Sequence, residues 1–421
     1  MANKHSKNWL FKDVATPYFA AQLLTTVGLS IPHAILTPLL LEKGLSLSQI
    51  LIIQAAFSLS VLLFEFPSGA IADIVSRRWV YIFSRLVLCV FFLVVIFGHS
   101  FPTLLIAWIV YGFASALDSG TLDAALVNNA KNRSEQEAAT VHRISWLVRK
   151  ENQSNFLGMM IGSTVGAILF TTIGVNIYFI SFAMALLAIM SIVFFFRIPE
   201  QHSQENSNMQ GLLREIKNHA RLTIKEMRNS PSLKKYLLLA ILVQAFMQLH
   251  MQLWQAIALE KGFPDGALIW LYLAFIAISF LGSYLPVERL FRKKILVGIG
   301  SAVFVLCALL IDAISEMWYV LFYGFVVFLL IALSNYSTYG IRKSSSEERI
   351  SAVTSLASVC GRIGAVSTLM LASIFIQTFS PSAVLSVGFT LLAIFAVVWA
   401  GVSAGINGRK GTKSPWARCR P

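Results

Sequence analysis

Four carboxylates interrupt apolar stretches of this 421-residue chain: Glu65, Asp118, Asp123 and Asp312. An acid in hydrocarbon is costly unless it is paired, protonated or facing water, so each is a functional candidate, and two of them are candidates for taking up and releasing a proton. Asp118 is the first choice and Glu65 the second; Glu65 equally fits a hydrogen-bonded packing residue beside Pro67, and Asp312 fits an interface anchor. A second pattern is a stripe of amides. Gln244, Gln248, Gln252 and Gln255 share one face of a helix, with His250 and Trp254 to its sides. Amides donate and accept without imposing charge, and a row of them is costly toward lipid, so the face should line water or protein. A helix-contact seam of glutamines is the competing reading, and His250 fits a packed histidine better than a proton relay. Tyr18, Gln22 and Thr25 fall in similar register, and Asn335 and Tyr336 add further polar and aromatic groups.

The elements that must position these residues are read from hydropathy. Stretches of about 20 apolar residues mark bilayer-spanning helices. They fall near 14 to 39, 48 to 75, 79 to 98, 102 to 127, 151 to 173, 175 to 196, 236 to 259, 266 to 287, 295 to 314, 317 to 339, 351 to 376 and 380 to 404. Every second gap is basic, so that 30 of the 34 Lys and Arg fall on one side; Lys43 and Lys261 fall on the other, and Arg85 and Arg362 are expected near helix ends. Basic loops resist translocation, which puts both termini in the cytoplasm. The expected fold is an all-α integral membrane protein of twelve helices in two six-helix bundles. Its parts are residues 1–196, a cytoplasmic linker 197–235, residues 236–404 and a basic tail 405–421. Leu212, Ile216, Ala220, Ile224 and Met227 give the linker the spacing of an amphipathic helix; a tether with incidental helix propensity is the alternative.

Composition excludes several classes. A chain that is 57% hydrophobic and 13% charged is unlike a soluble domain. Its net charge of +14 is spread over short loops facing an anionic leaflet, which indicates the lipid bilayer as partner and not nucleic acid. Cys89, Cys307, Cys360 and Cys419 show neither paired spacing nor C-x-x-C, so no disulfide framework, metal site or cofactor is expected. The first apolar stretch is too long for a signal-peptide core and is expected to be retained as helix 1. There is no nucleotide-binding glycine loop and no catalytic constellation in an interfacial loop, so an ATP-driven machine and an enzyme are disfavoured.

Between spans 2 and 3 the chain reads Phe64-Glu65-Phe66-Pro67-Ser68-Gly69-Ala70-Ile71-Ala72-Asp73-Ile74-Val75-Ser76-Arg77-Arg78. This resembles the signature loop of the major facilitator superfamily, with Gly69, Asp73, Arg77 and Arg78 in place and Ile74 and Ser76 as departures. The preceding F-E-F-P-S-G is similar to a bacterial subset of drug efflux permeases, as are Ser119 to Ala124 and Ser346 to Ser355. The resemblance implies a secondary active transporter of the cell membrane, a bacterial cytoplasmic membrane, working by alternating access on a small-molecule substrate. Proton-coupled export of amphipathic, antibiotic-like compounds by a monomer is the leading expectation. Import of a nutrient or flipping of a lipid-linked molecule is the alternative, and a membrane-embedded enzyme or sensor a lesser one. Residue by residue, the resemblance implies a conformational latch of Asp73, Arg77 and Asp123, supported by Gly69 and Arg78. It further implies a substrate cavity bordered by Tyr18, Gln22, Thr25, Gln244, Gln248, Gln252, Trp254, Gln255, Asn335 and Tyr336. The arginine that proton-linked members carry in helix 4 is replaced here by Trp108. Gly158-x-x-x-Gly162-Ser163-x-x-Gly166-Ala167 is similar to the antiporter motif, although close helix packing alone accounts for it.

Overall fold

The structure, a computed structural model, describes residues 2–74, 76–119, 121–122, 125–127, 137–196, 221, 225, 228–314, 318–346 and 350–409. Among these residues it is all helical, as a bilayer solvent requires of a chain that must satisfy its backbone internally. The helices are α1 (Ala2–Ser30), α2 (Leu36–Glu42), α3 (Leu47–Ile74), α4 (Arg77–Phe97), α5 (Phe101–Asp118), α6 (Glu137–Ile173), α7 (Ile177–Phe195), α8 (Pro231–Glu260), α9 (Leu268–Ser283), α10 (Val287–Arg292), α11 (Lys294–Ala313), α12 (Tyr319–Ser344), α13 (Ile350–Phe375) and α14 (Pro381–Arg409). Each of the twelve expected spans is occupied by at least one of them. Among the described residues, eight helical segments are long and apolar enough to cross a membrane, and two further apolar helices are shorter.

Three spans differ from expectation. The first is broken: α1 stops at Ser30, residues 31–35 form turns around Pro32, and α2 carries the rest of the apolar stretch. The fourth is interrupted: α5 ends at Asp118, Thr121 donates from its hydroxyl (2.8 Å) and its amide (3.4 Å) to the Asp118 carbonyl, and residues 122 and 125–127 are helical again. The fifth is extended, since α6 begins at Glu137, well before the apolar stretch, and carries Arg143, Arg149 and Lys150 on helical turns. Hydropathy reads where lipid touches the chain, not where helical hydrogen bonding starts or stops.

Helix ends are fixed by local chemistry. Ser46 and Gln49 form a reciprocal box at the start of α3: Ser46 N–H donates to Gln49 Oε1 (3.0 Å), and Gln49 N–H donates to Ser46 Oγ (3.3 Å). The sequence Leu-Glu-Lys-Gly occurs twice, at 41–44 and 259–262, and both copies end a helix in the same way. Gly44 and Gly262 adopt left-handed φ of 83° and 84°. Gly44 N–H returns to Leu41 O and Leu45 N–H to Leu40 O; Gly262 N–H returns to Leu259 O and Phe263 N–H to Ala258 O. Spans 1 and 7 therefore end in the same local device.

The chain divides into two compact units. The first comprises Met1–Ser207, Trp254–Leu273 and Leu369–Ile374, the second Asn208–Leu253, Ala274–Thr368 and Phe375–Pro421. In the first unit α6 lies against α1 at backbone distance. A Cβ on Gly158 would fall 2.8 Å from Thr26 Cβ, and one on Gly162 or Gly166 would run into the carbonyl oxygens of Val27 and Ile31. Ser163, standing where the antiporter motif has proline, donates to the Ser30 carbonyl (3.1 Å) at the break in span 1. In the second unit Tyr319, Tyr323 and Phe389 are fully buried.

Candidate functional site

The fourth span supplies the main finding. Asp118, expected as a lone acid near mid-helix, forms an ion pair and hydrogen bond with Arg85 Nη2. Arg85, expected near a helix end, lies eight residues beyond the start of α4, or about 12 Å along it, and is 3% exposed. The pairing has a physical cause. A carboxylate at the C-terminal end of a helix meets the negative end of the helix dipole, so Asp118 at the last residue of α5 requires a compensating cation. A buried guanidinium equally requires an anion. The Arg85 guanidinium also lies 4.4 Å from the centre of the Tyr81 ring, a cation–π contact, and the Tyr81 hydroxyl is 3.4 Å from Thr25 Oγ1.

Close packing of α3 on α5 holds this corner in place. Ser60 donates to the Ile109 carbonyl (2.7 Å), and Ser68 donates to the Ala116 carbonyl (2.7 Å) and to that of Glu65 (2.9 Å). A side chain on Gly112 would strike Phe57 O and Ser60, each at 2.6 Å. Trp108 is buried edge-on against Phe91, with ring centres 5.2 Å apart. Glu65 is half-buried, seated beside Pro67 inside α3. Asp312 accepts from Ser382 Oγ (2.6 Å), which ties the end of α11 to the start of α14.

The expected cavity residues separate into distinct environments. In the first unit Tyr18 is buried among core residues. Gln22 Nε2 donates to Asn155 Oδ1 (2.8 Å), which also accepts from Thr26 Oγ1 (3.1 Å). Trp254 stacks on Tyr272. Gln255 engages both ends of its amide: Oε1 accepts from Thr37 N–H and Nε2 donates to the His33 carbonyl, each at 2.6 Å. It thereby caps α2, whose own N-cap residue Ile35 offers no side-chain bond. In the second unit Gln244 is exposed, and Gln248 and Gln252 are half-buried. Asn335 Nδ2 lies 3.5 Å from the Gly282 carbonyl, and Tyr336 stacks on Phe291 at 4.1 Å with its hydroxyl 3.4 Å from that of Tyr236. His250 is a packed histidine, with Nδ1 2.7 Å from the Tyr323 hydroxyl and Phe275 edge-on.

Of the expected latch, Arg78 Nη2 donates to the Val193 carbonyl (2.7 Å), and Arg77 is half-buried at the start of α4. Gly69 and Asp73 belong to α3, but the Asp73 side chain lies outside the described residues, as does Asp123. The linker residues 197–220 and the tail 410–421 also lie outside them. The sequence reading missed Arg85 and Asn155. Arg85 is one of two basic residues that fall on neither side of the charge alternation, and that exception was the available signal.

Among the described residues, multiple apolar helices long enough to cross a membrane, with an ion pair between two of them, define a multi-pass membrane protein, and family membership makes it a transporter rather than an enzyme. The chain matches the description of the Major Facilitator Superfamily over residues 18–367 and belongs to that family. None of the curated proteins matches it in sequence. Among solved structures it is similar to the nucleoside transporter NupG, with a TM-score of 0.71, 13% identity and coverage of 93% of this chain and 99% of that one. It is also similar to the POT family transporter PepTSo, at TM-score 0.65, 13% identity and coverage of 94% and 98%. A third similar structure is a bacterial homologue of the human lysosomal transporter Spinster in an inward-facing, occupied conformation, at TM-score 0.64, 13% identity and coverage of 97% and 98%. At these identities the likeness is one of fold.

Proposed function

We propose that the protein exports amphipathic small molecules across a bacterial cytoplasmic membrane as a monomer, driven by proton entry, with Asp118 as the proton-bearing acid. The pair between buried Arg85 and half-buried Asp118 carries this reading. Charge inside a span is costly, and a proton on Asp118 would leave the buried Arg85 without its carboxylate, so that proton uptake there would force a change of arrangement. Gln248 and Gln252, half-buried and uncharged, suit a permissive substrate wall. Glu65 is the second proton candidate, and Asp73, Arg77 and Asp123 form the inner latch.

Ethidium, an amphipathic cation, tests the reading in inverted vesicles. An imposed gradient, acid inside, should drive its accumulation, and a proton ionophore should abolish it. Asp118→Asn should still bind ethidium but lose gradient-driven accumulation, and Asp73→Asn should insert normally yet fail to turn over. Accumulation by Asp118→Asn at the parental rate transfers the proton role to Glu65. Gradient-independent accumulation, or none, rejects proton-driven export and leaves nutrient import or lipid-linked flipping as the function.

A further inference from the structure

Arg85 touches more than its acid. Asp118 at the end of α5, Arg85 and Tyr81 in α4, and Thr25 in α1 form an unbroken line of contacts: ion pair, cation–π stack, then hydroxyl to hydroxyl at 3.4 Å. Asp118 is half-buried, but Arg85, Tyr81 and Thr25 are 3%, 1% and 4% exposed, so from the arginine onward the line runs through protein and not through solvent. It also reaches α1 in the register that holds α6, because Gln22 and Thr26, on either side of Thr25, both bond Asn155. A displacement at Thr25 is therefore felt at the seam between α1 and α6.

We propose that Arg85 is a positioning residue that relays the charge state of Asp118 to α1 through Tyr81. The inference rests on the reading of Asp118 as the proton-bearing acid. When a proton joins a carboxylate oxygen of Asp118, one O–H bond forms, the negative charge is lost and Arg85 remains a cation. The guanidinium then loses the partner that fixed its plane and keeps the aromatic face of Tyr81, so the arginine and tyrosine rearrange together. Close-packed interiors respond to such a change by switching between discrete arrangements, and α1, which ends at the 31–35 turns and packs on α6, is the element the line delivers it to.

The other titratable groups around the pair are few. Tyr81 and Cys89 face it from α4, Tyr111 from α5 and Tyr178, beside Tyr111, from α7. Glu65 belongs to α3, three residues before the Ser68 that bonds α5. Tyr18 is the titratable side chain among the described ones of α1. The phenols and the thiol are uncharged at neutral pH, which leaves Glu65 as the competing acid.

The test needs no substrate. Cys89, Cys307, Cys360 and Cys419 are replaced, a bimane fluorophore is attached at Ala20→Cys on the exposed side of α1, and emission is recorded at acid and neutral pH in lipid nanodiscs. The parent should show a pH-dependent emission shift. Asp118→Asn and Arg85→Gln should each lose it, Tyr81→Phe should lose most of it, and Glu65→Gln should retain it. If either single neutralisation fails to fold, the double variant Arg85→Gln/Asp118→Asn, which buries no unpaired charge, replaces it and should be stable yet unresponsive. A shift that persists in Arg85→Gln, in the double variant or in full strength in Tyr81→Phe overturns the relay, as does its absence from the parent. Ethidium transport, measured separately, distinguishes the two claims. An intact pH response without dye export sinks the export reading alone, and dye export by a protein whose α1 is unresponsive sinks the relay alone.

Discussion

The carbonyl oxygen of Ile31 occupies the space that a β-carbon on Gly166 would need. Backbone thus meets backbone where α6 passes the break in span 1. Gly166→Val should lower the unfolding midpoint in detergent, a loss of about 3 kcal/mol or more from overpacking. Gly298→Ala is the control, because a Cβ at Gly298 meets nothing within 4 Å. It should be neutral or stabilise α11 by up to about 1 kcal/mol.

Gln255 and Gln252 share a helix face but have different work. Gln255→Ala leaves the Thr37 N–H and His33 carbonyl without their amide partner and should cost about 1–3 kcal/mol of stability. Gln252→Ala should leave the unfolding midpoint nearly unchanged while altering the order of preference among transported dyes. Equal destabilisation by the two would contradict the distinction.

Lys43 places its ammonium on the Ile96 (3.3 Å) and Gly98 (2.8 Å) carbonyls at the end of α4, where a cation complements the helix dipole, and partial burial there lowers its pKa from the usual lysine value. Lys43→Met should cost about 0.3–1 kcal/mol, and Lys43→Arg less. The same position tests orientation. Cysteine labelling should find positions 43 and 261 outside and positions 214 and 410 inside, and a reversal at any of the four breaks the topology.

His250 and Tyr323 form a buried hydrogen bond at 2.7 Å in the second unit. His250→Leu and Tyr323→Phe should each reduce stability, and a double-mutant cycle should return a coupling of about 1 kcal/mol. Proton-driven ethidium accumulation by Tyr323→Phe should match the parent. Its loss would move His250 from packing into mechanism.

Much of the fold was legible because the bilayer acts on each span separately. Span 2, read as 48 to 75, forms α3 over Leu47–Ile74, and span 11, read as 351 to 376, forms α13 over Ile350–Phe375. The misjudged boundaries have particular causes. The polar start of α6 is helical without being apolar, and the break at 31–35 is set by Pro32 together with partners on other helices, Ser163 and Gln255. The Leu-Glu-Lys-Gly repeat was present in the sequence as a helix-end signal, but its meaning depends on both glycines taking the same left-handed turn.

The sequence by itself determined that this chain is a bundle of membrane helices, which stretches cross and which family it resembles. Hydropathy, charge alternation and the loop around Asp73 are properties of neighbouring residues and of the solvent around them. Only the tertiary structure decided what the polar residues inside the spans do. It gave Asp118 its arginine from a helix 33 positions away, Gln22 its asparagine 133 positions away and Gln255 its two backbone partners 218 and 222 positions away. An isolated span cannot satisfy such groups in hydrocarbon, so their partners are fixed only when helices pack, and packing joins residues whose separation along the chain carries no local signal.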